Sequence, residues 1–297
     1  MKASIEKFLD SAQTFRCPIC GSGLHPAGRS LQCPRNHTFD IAAKGSVALL
    51  RSRHTQDGLY NQPFFENRSA LLSTGLYDHI VREVAHDVSL LLDSPASSLL
   101  DVGCGDGTLT KRLQNLIASA PVDSPQQQDQ ALHELTVFAC DISQPAISIA
   151  ARGNSSIRWF IADLAKLPIA DSSMDIVTDI FSPANYEEFK RVLRPQGKLI
   201  KVVPGKHHLM ELRRAIADSH AALPKDYSND DVMQGIEQHC TIQHSTLASA
   251  TLHLDNAQWR QFLAMTPLMF HVDKSSIDLD SLRNLTIEAQ IVQATMK

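Results

Sequence analysis

The spacing of apolar positions changes character several times along the chain. From Phe64 to Asp93 apolar residues recur at helical intervals. Gly75 interrupts them as a helix end, and a second helix is predicted from about Asp78. Short apolar runs then alternate with helical stretches. SSLLDVG (97–103), TVFACDIS (136–143), IRWFIAD (157–163), MDIVTDIF (174–181) and GKLIKVVPG (197–205) read as buried strands. TLTKRLQNLIAS (108–119), PAISIAAR (145–152) and ANYEEFKRVL (184–193) read as helices, the second opened by proline. This alternation predicts an α/β, doubly wound, mostly parallel Rossmann-like sheet. The tail adds a helix over 208–223, a strand over 243–254, a helix near 258–265 and a closing strand over 285–296.

Three stretches break that rhythm. Residues 1–14 form a short amphipathic lead with Ile5, Phe8 and Leu9 on one side. Residues 15–50 are turn-rich, with VALL (47–50) as a short strand. Residues 119–134 are polar and Gln-rich, and read as a surface loop inserted between a helix and the next strand. The polar run RSRHTQDGLYNQP (51–63) reads as a linker or a substrate-facing loop. The expected division is a small module over 1–50, a connecting segment over 51–76 and a main domain over 77–297.

Composition narrows the class. An apolar fraction of 43% supports a packed core and excludes a disordered chain. The net charge of −4 is mild, but residues 1–70 carry nine Lys/Arg against five Asp/Glu, with His25, His37 and His54. A basic front suits a polyanionic partner, or is simply a solvated face. Neither a signal peptide nor a membrane-spanning stretch is legible, so a cytoplasmic protein with reduced thiols is expected. Cys104, Cys140 and Cys240 lie in apolar surroundings and read as buried structural thiols.

The other three cysteines are different. Cys17-x2-Cys20-x12-Cys33-x3-His37 makes two tight knuckles with two ligands each. Four thiolate and imidazole ligands without a carboxylate suit tetrahedral Zn²⁺ and leave no open position, which indicates a structural site. So short a segment cannot bury a stable core unaided, and the metal supplies the missing folding energy. His25, between the knuckles, reads as a surface histidine.

DVGCGDGT (101–108) closes the first strand of the main domain and opens a helix. Gly103, Gly105 and Gly107 allow a sharp turn and close backbone approach to a ligand. The dinucleotide fingerprint asks for Gly or Ala where this chain has Thr108. The spacing instead fits S-adenosylmethionine-dependent methyltransferases. Asp141, ending the second strand, is placed to accept from ribose hydroxyls, and Asp163, ending the third, from an adenine amine. With Asp101 they would share one rim of the sheet. The alternative is that such residues only cap the helices that follow.

At this point the chain resembles a family. CPIC, CPRNHTFDIAAKGSVALL, NRSALLSTGLYDHI, LLDVGCGDG, LPIADSSMDIVTDIFSP, VVPGKHHLMELR and AMTPL occur in the order found in bacterial 23S ribosomal RNA guanine-N1 methyltransferases. The resemblance spans nearly the whole chain. It implies zinc on Cys17, Cys20, Cys33 and His37, and contacts to S-adenosylmethionine from Tyr77, Gly105, Asp106 and His208, beside Gly103, Asp141 and Asp163. It further implies methyl transfer to N1 of a guanine in a 23S rRNA hairpin. The zinc module would read RNA phosphates through Arg16, Arg29, Arg35, Lys44, Arg51 and Arg53. Phe181 is placed to stack on a splayed base, and Asp179 lies in the region where a proton must be accepted, or is a simple strand-end carboxylate. No residue identifies itself as the base. A homodimer clamping a hairpin is a further expectation. The alternative is a small-molecule methyltransferase whose zinc module only supports a lid.

Overall fold

A computed structural model describes residues 2–50, 58, 60–92, 96–119, 134–153, 156–219, 227–270, 272–273, 277–278 and 282–297. Most of the insertion at 119–134, together with Arg51, Arg53 and His54, lies outside the described residues. Eight strands form the main sheet among them. They are β4 (Ser46–Ala48), β5 (Ala96–Val102), β6 (Glu134–Asp141), β7 (Arg158–Ile161), β8 (Met174–Ile180), β9 (Leu193–Pro204), β10 (Cys240–His253) and β11 (Asn284–Met296). Their order is β10-β11-β9-β8-β5-β6-β7-β4. Pairing is parallel from β4 through β9, and β11 and β10 then add antiparallel. The sheet is therefore mostly parallel and doubly wound, as the alternation predicts.

Period-two geometry sends neighbouring side chains to opposite faces. Leu99 and Leu100, adjacent in β5, accordingly join two different cores. Leu99 packs with Trp159, Ile176 and the helices α3 (Asp78–Leu90), α4 (Thr108–Ala118) and α5 (Gln144–Ala150). Leu100 packs with Phe138, Phe160, Phe189 of α6 (Tyr186–Val192) and the N-terminal residues Ile5, Phe8 and Phe15. The other helices are α1 (Ala3–Asp10), α2 (Gln62–Leu72), α7 (Met210–Ser219), α8 (Asp230–His239) and α9 (Asn256–Met265).

The N-terminal segment does more than precede the sheet. Strands β1 (His25–Ala27), β2 (Ser30–Gln32) and β3 (Thr38–Asp40) make a small antiparallel sheet of their own. Beyond it, β4 pairs parallel with β7 as the edge strand of the main sheet. The Phe15 ring lies edge-on to Phe138 and Phe160 at 5.6 and 5.4 Å between centroids. Arg16 N donates to Pro168 O at 3.0 Å, and Phe15 bridges Ile169. The zinc-ligand segment is thus moored to the chain that leaves β7 just after Asp163.

Two sequence expectations shift. The helix expected from residue 208 begins at Met210, because His207–Leu209 form a turn and Leu209 takes φ +57°. Helix α8 is not legible in the sequence, since only Ile236 along it is buried, while Val232 is exposed and Met233 half-buried. Among the described residues no helix is long and apolar enough to cross a membrane.

Candidate functional site

The four metal-ligand candidates converge. One ligand atom from each of Cys17, Cys20, Cys33 and His37 lies within 4.8 Å of all the others. Nδ1 of His37 is 3.5 Å from Cys17 Sγ and 3.3 Å from Cys33 Sγ, and the sulfurs of Cys20 and Cys33 are 3.6 Å apart. A tetrahedron with Zn–S of about 2.3 Å and Zn–N of about 2.0 Å has edges of roughly 3.5–3.8 Å, so the set fits zinc. Each knuckle turns through one left-handed residue, Gly21 at φ +78° and Asn36 at φ +63°. Gly21 N returns to Cys17 O, and Asn36 N to Cys33 O.

The glycine loop sits at the carboxyl end of β5. Gly103, Gly105 and Gly107 take φ of +66°, +55° and +74°, a region costly for other residues. Their surroundings differ. A Cβ on Gly103 would lie 2.4 Å from the Ser182 side chain, and one on Gly107 2.6 Å from the Trp159 ring. A Cβ on Gly105 would find its first neighbour, Arg68 Nε, 3.8 Å away. Gly105 therefore has room beside it that the other two glycines lack. Asp141 binds the loop to the next element, taking N–H bonds from Gly105 at 2.9 Å and Ser143 at 2.8 Å. Burial pushes the Asp141 carboxyl up, and those two donors pull it back. The cap of α5 is Ser143, whose Oγ accepts from Ala146 N, so Asp141 remains with the loop.

Asp106 and Arg68 lie across the same loop. Asp106 Oδ1 accepts from Thr108 N at 2.9 Å. Its Oδ2 is buried and has no hydrogen bond among the described residues, although Arg68 Nε approaches to 3.3 Å. Arg68 comes from α2, which is held over the loop by Ser69 Oγ on Thr108 Oγ1 at 3.1 Å. Asp101 departs from the rim expected for it. It is buried, with Thr178 and Thr110 hydroxyls donating to its two oxygens, and it ties β5 to β8 and α4. Asp163 is half-buried at the end of β7 and accepts from Ala165 N.

Three rings meet near the carboxyl ends of β8 and β9. Tyr77 meets Phe181 edge-on at 5.7 Å, and Phe181 meets His208 at 5.4 Å. Phe181 has φ +57°, a strained value for a bulky residue. Beneath it Asp179 is fully buried, with Lys201 Nζ at 2.8 Å from Oδ2 and Ser182 Oγ at 2.8 Å from Oδ1. Burial raises Asp179 to about 6 while Lys201 and Ser182 oppose the rise. Lys201 also donates to Ser182 O, so this network pins the Phe181 turn. Both Asp179 oxygens are thus engaged, Oδ1 by Ser182 and Oδ2 by Lys201.

Glu288 of β11 holds the segment that carries His208. It accepts from Gly205 N at its carbonyl, from His207 N at 2.9 Å and from the His207 ring at 3.1 Å. Burial works against its ionisation, but the His207 donors outweigh it and hold the carboxyl below its usual range. Burial lowers His208 itself to about 4. The structure thus gathers Tyr77, Gly103, Gly105, Asp106, Asp141 and His208 around the carboxyl ends of β5, β6, β8 and β9, with Asp163 at the neighbouring strand end. Sequence reasoning missed Arg68 and Glu288. Arg68 falls inside the quoted NRSALL, on a stretch read only as helix. Of the basic front, Arg29, Arg35 and Lys44 are exposed and Arg16 is half-buried.

Comparison with known proteins agrees with both parts. A zinc-ribbon family described as "RlmA, N-terminal" matches residues 15–56, and one described as "Methyltransferase domain" matches residues 99–197. A protein of Bacillus subtilis (strain 168), provisionally named a 23S rRNA (guanine-N(1)-)-methyltransferase, is 31% identical over 272 residues, covering 89% of this chain and 90% of its own. The 23S rRNA (guanine(748)-N(1))-methyltransferase of Streptomyces fradiae is 28% identical over 265 residues, covering 89% of this chain and 88% of its own.

Proposed function

The chain belongs to the family of 23S rRNA (guanine-N1)-methyltransferases, and we propose that its acceptor is N1 of a guanine in a 23S rRNA hairpin. It is an S-adenosylmethionine-dependent methyltransferase with a zinc ribbon. The cofactor supplies an electrophilic methyl group on a sulfonium, so the protein's task is chiefly alignment. The residues present suit it. Gly105 leaves room for close approach, Asp141 takes ribose hydroxyls, and Asp106 offers a buried carboxylate oxygen without a donor. Asp163 and the neighbouring Ile142, an apolar side chain 39% exposed, complete the adenine side.

The observation that carries the acceptor reading is this cluster of rings. Phe181, held in a strained turn by Asp179, Ser182 and Lys201, gives a flipped base a flat surface beside Tyr77 and His208. Guanine N1 faces its partner inside a duplex, so the target base is a loop base or an extruded one. The zinc ribbon, moored beside the segment that follows Asp163, reads the surrounding phosphates with Arg16, Arg29, Arg35 and Lys44. Zinc on Cys17, Cys20, Cys33 and His37 keeps that ribbon folded. A homodimer closing over the hairpin belongs to the same reading. Mass spectrometric mapping of 23S rRNA from cells with and without the gene tests it: one 1-methylguanosine disappears in the deletion strain. An unchanged map overturns the acceptor assignment.

A further inference from the structure

A groove of about 420 Å³ opens between the loops that follow β7 and β8. Its walls include Leu164 and Ala165, just past Asp163, and Pro183 and Ala184, just past Phe181. Asn185 ties the two loops together, its Nδ2 donating to Leu164 O at 3.1 Å and to Ala165 O at 3.4 Å. Tyr186, which opens α6, and His239, which closes α8, also line the groove. Their rings are stacked, 4.6 Å between centroids and 11° between planes. Tyr186 is half-buried and rests edge-on against Phe189, whereas His239 is exposed. The His239 ring is held in place, because its Nδ1 donates to Gly235 O at 2.9 Å and its own carbonyl accepts from Lys297 N.

We propose that the Tyr186–His239 stack is a shelf for a nucleobase of single-stranded RNA, a neighbour of the base that is methylated. This rests on the RNA reading above and adds a second place where the RNA is gripped. A flat pair of rings extends by taking a third flat ring, and every base has a π-face to offer. The described lining does not suit a phosphate. Its walls are mostly apolar, Asn185 is spent on two carbonyls, and Glu187 brings a negative charge that repels the backbone. Burial pushes the Tyr186 phenol up to about 12, so the stack carries no phenolate beside the base. The groove also lies between two parts already described. Leu164 and Tyr186 pack against the core that holds Phe8, Phe15 and Cys20, so the shelf and the zinc ribbon stand on one face of the sheet. RNA held by the ribbon, with one base splayed onto Phe181, passes this shelf.

Fluorescence anisotropy with two labelled oligomers tests the shelf through binding alone. One probe is hexaadenylate RNA, and the other is an abasic hexamer with the same phosphates and no bases. Wild type should prefer the base-bearing oligomer. His239→Ala should weaken hexaadenylate binding by about 5- to 150-fold and leave the abasic oligomer unchanged. Its salt slope should also hold, because no phosphate contact is removed. His239→Phe keeps a flat ring and should retain the preference. The shelf is overturned by a wild type that binds both oligomers alike, by a preference that survives in His239→Ala, or by one lost equally in His239→Phe. Equal weakening of both oligomers in His239→Ala also overturns it, since only the docking of α8 was then disturbed. Selective loss in a chain that leaves 23S rRNA unmethylated keeps the shelf and overturns the acceptor assignment instead.

Discussion

The backbone N–H of Glu288 donates to Nδ1 of His208 across 3.3 Å, and this contact fixes which ring nitrogen carries the proton. Nδ1 is an acceptor, so neutral His208 holds its proton on Nε2.

That arrangement has a pH signature. Burial lowers His208 to about 4, against an ordinary value of 6.5. Between these values the unfolded chain binds a proton that the folded chain refuses. The stabilisation is therefore complete above pH 6.5 and is lost as pH falls toward 4, up to about 3 kcal/mol. Asp101 and Asp179, both raised to about 6 by burial, run in the opposite sense, but they are common to wild type and variant. Denaturant melts at pH 7 and pH 4.5 should show wild type losing more stability than His208→Gln. Parallel losses would contradict the buried neutral ring.

The three loop glycines should separate by mechanism. Gly107→Ala drives a Cβ into Trp159 and Ala150 at a positive φ, and should cost about 2–4 kcal/mol in stability. Gly103→Ala collides with Ser182 and should behave similarly. Gly105→Ala meets open space, so its stability cost should stay near the backbone strain of about 1–2 kcal/mol, with the larger effect on cofactor affinity. Thermal melts beside cofactor titrations check the order.

Removing the ion beneath Phe181 should hurt more than removing both partners. Lys201→Met leaves a buried Asp179 unpaired and should cost about 3–5 kcal/mol. Asp179→Leu combined with Lys201→Met should recover most of that loss. Asp179→Asn should lower activity without changing the shape of the pH–rate profile, because Asp179 positions a turn and accepts no substrate proton. A profile that loses one limb in Asp179→Asn would return Asp179 to the chemistry.

Zinc removal should be felt beyond the ribbon. Phe8 and Phe15 share a core with Phe138 and Phe160, and β4 is an edge strand of the main sheet. Stripping zinc with a chelator should lower the melting midpoint of the whole chain by at least about 10 °C, since such sites contribute about 10–16 kcal/mol to isolated fingers. An unchanged midpoint after verified metal loss would show that the ribbon folds without it.

Much of this was legible from residue order. The metal clip could be read from spacing alone, because knuckle geometry is local. The parallel sheet followed from alternating apolar runs, and the glycine loop from its place between β5 and α4. Three features could not be read, for one shared reason. Asp101, Arg68 and Glu288 take their meaning from partners distant in sequence. Asp101 looks like a rim carboxylate until Thr110 and Thr178 are seen to occupy it. Arg68 is one of many helix arginines until α2 folds over Gly105. Glu288 is an alternating strand residue until β11 pairs with β9 and brings it under His207 and His208. Likewise VALL (47–50) is legible as a short strand, while the pairing of β4 with β7 depends on residues more than a hundred positions away.

The acceptor assignment meets its most direct test in one assay. Purified chain, S-adenosylmethionine and unmodified 23S rRNA transcript are incubated, and the nucleosides are resolved by mass spectrometry. A single 1-methylguanosine, mapping to a hairpin and absent without the chain, is the predicted result. No transfer, or a methyl group on any atom other than guanine N1, would contradict it.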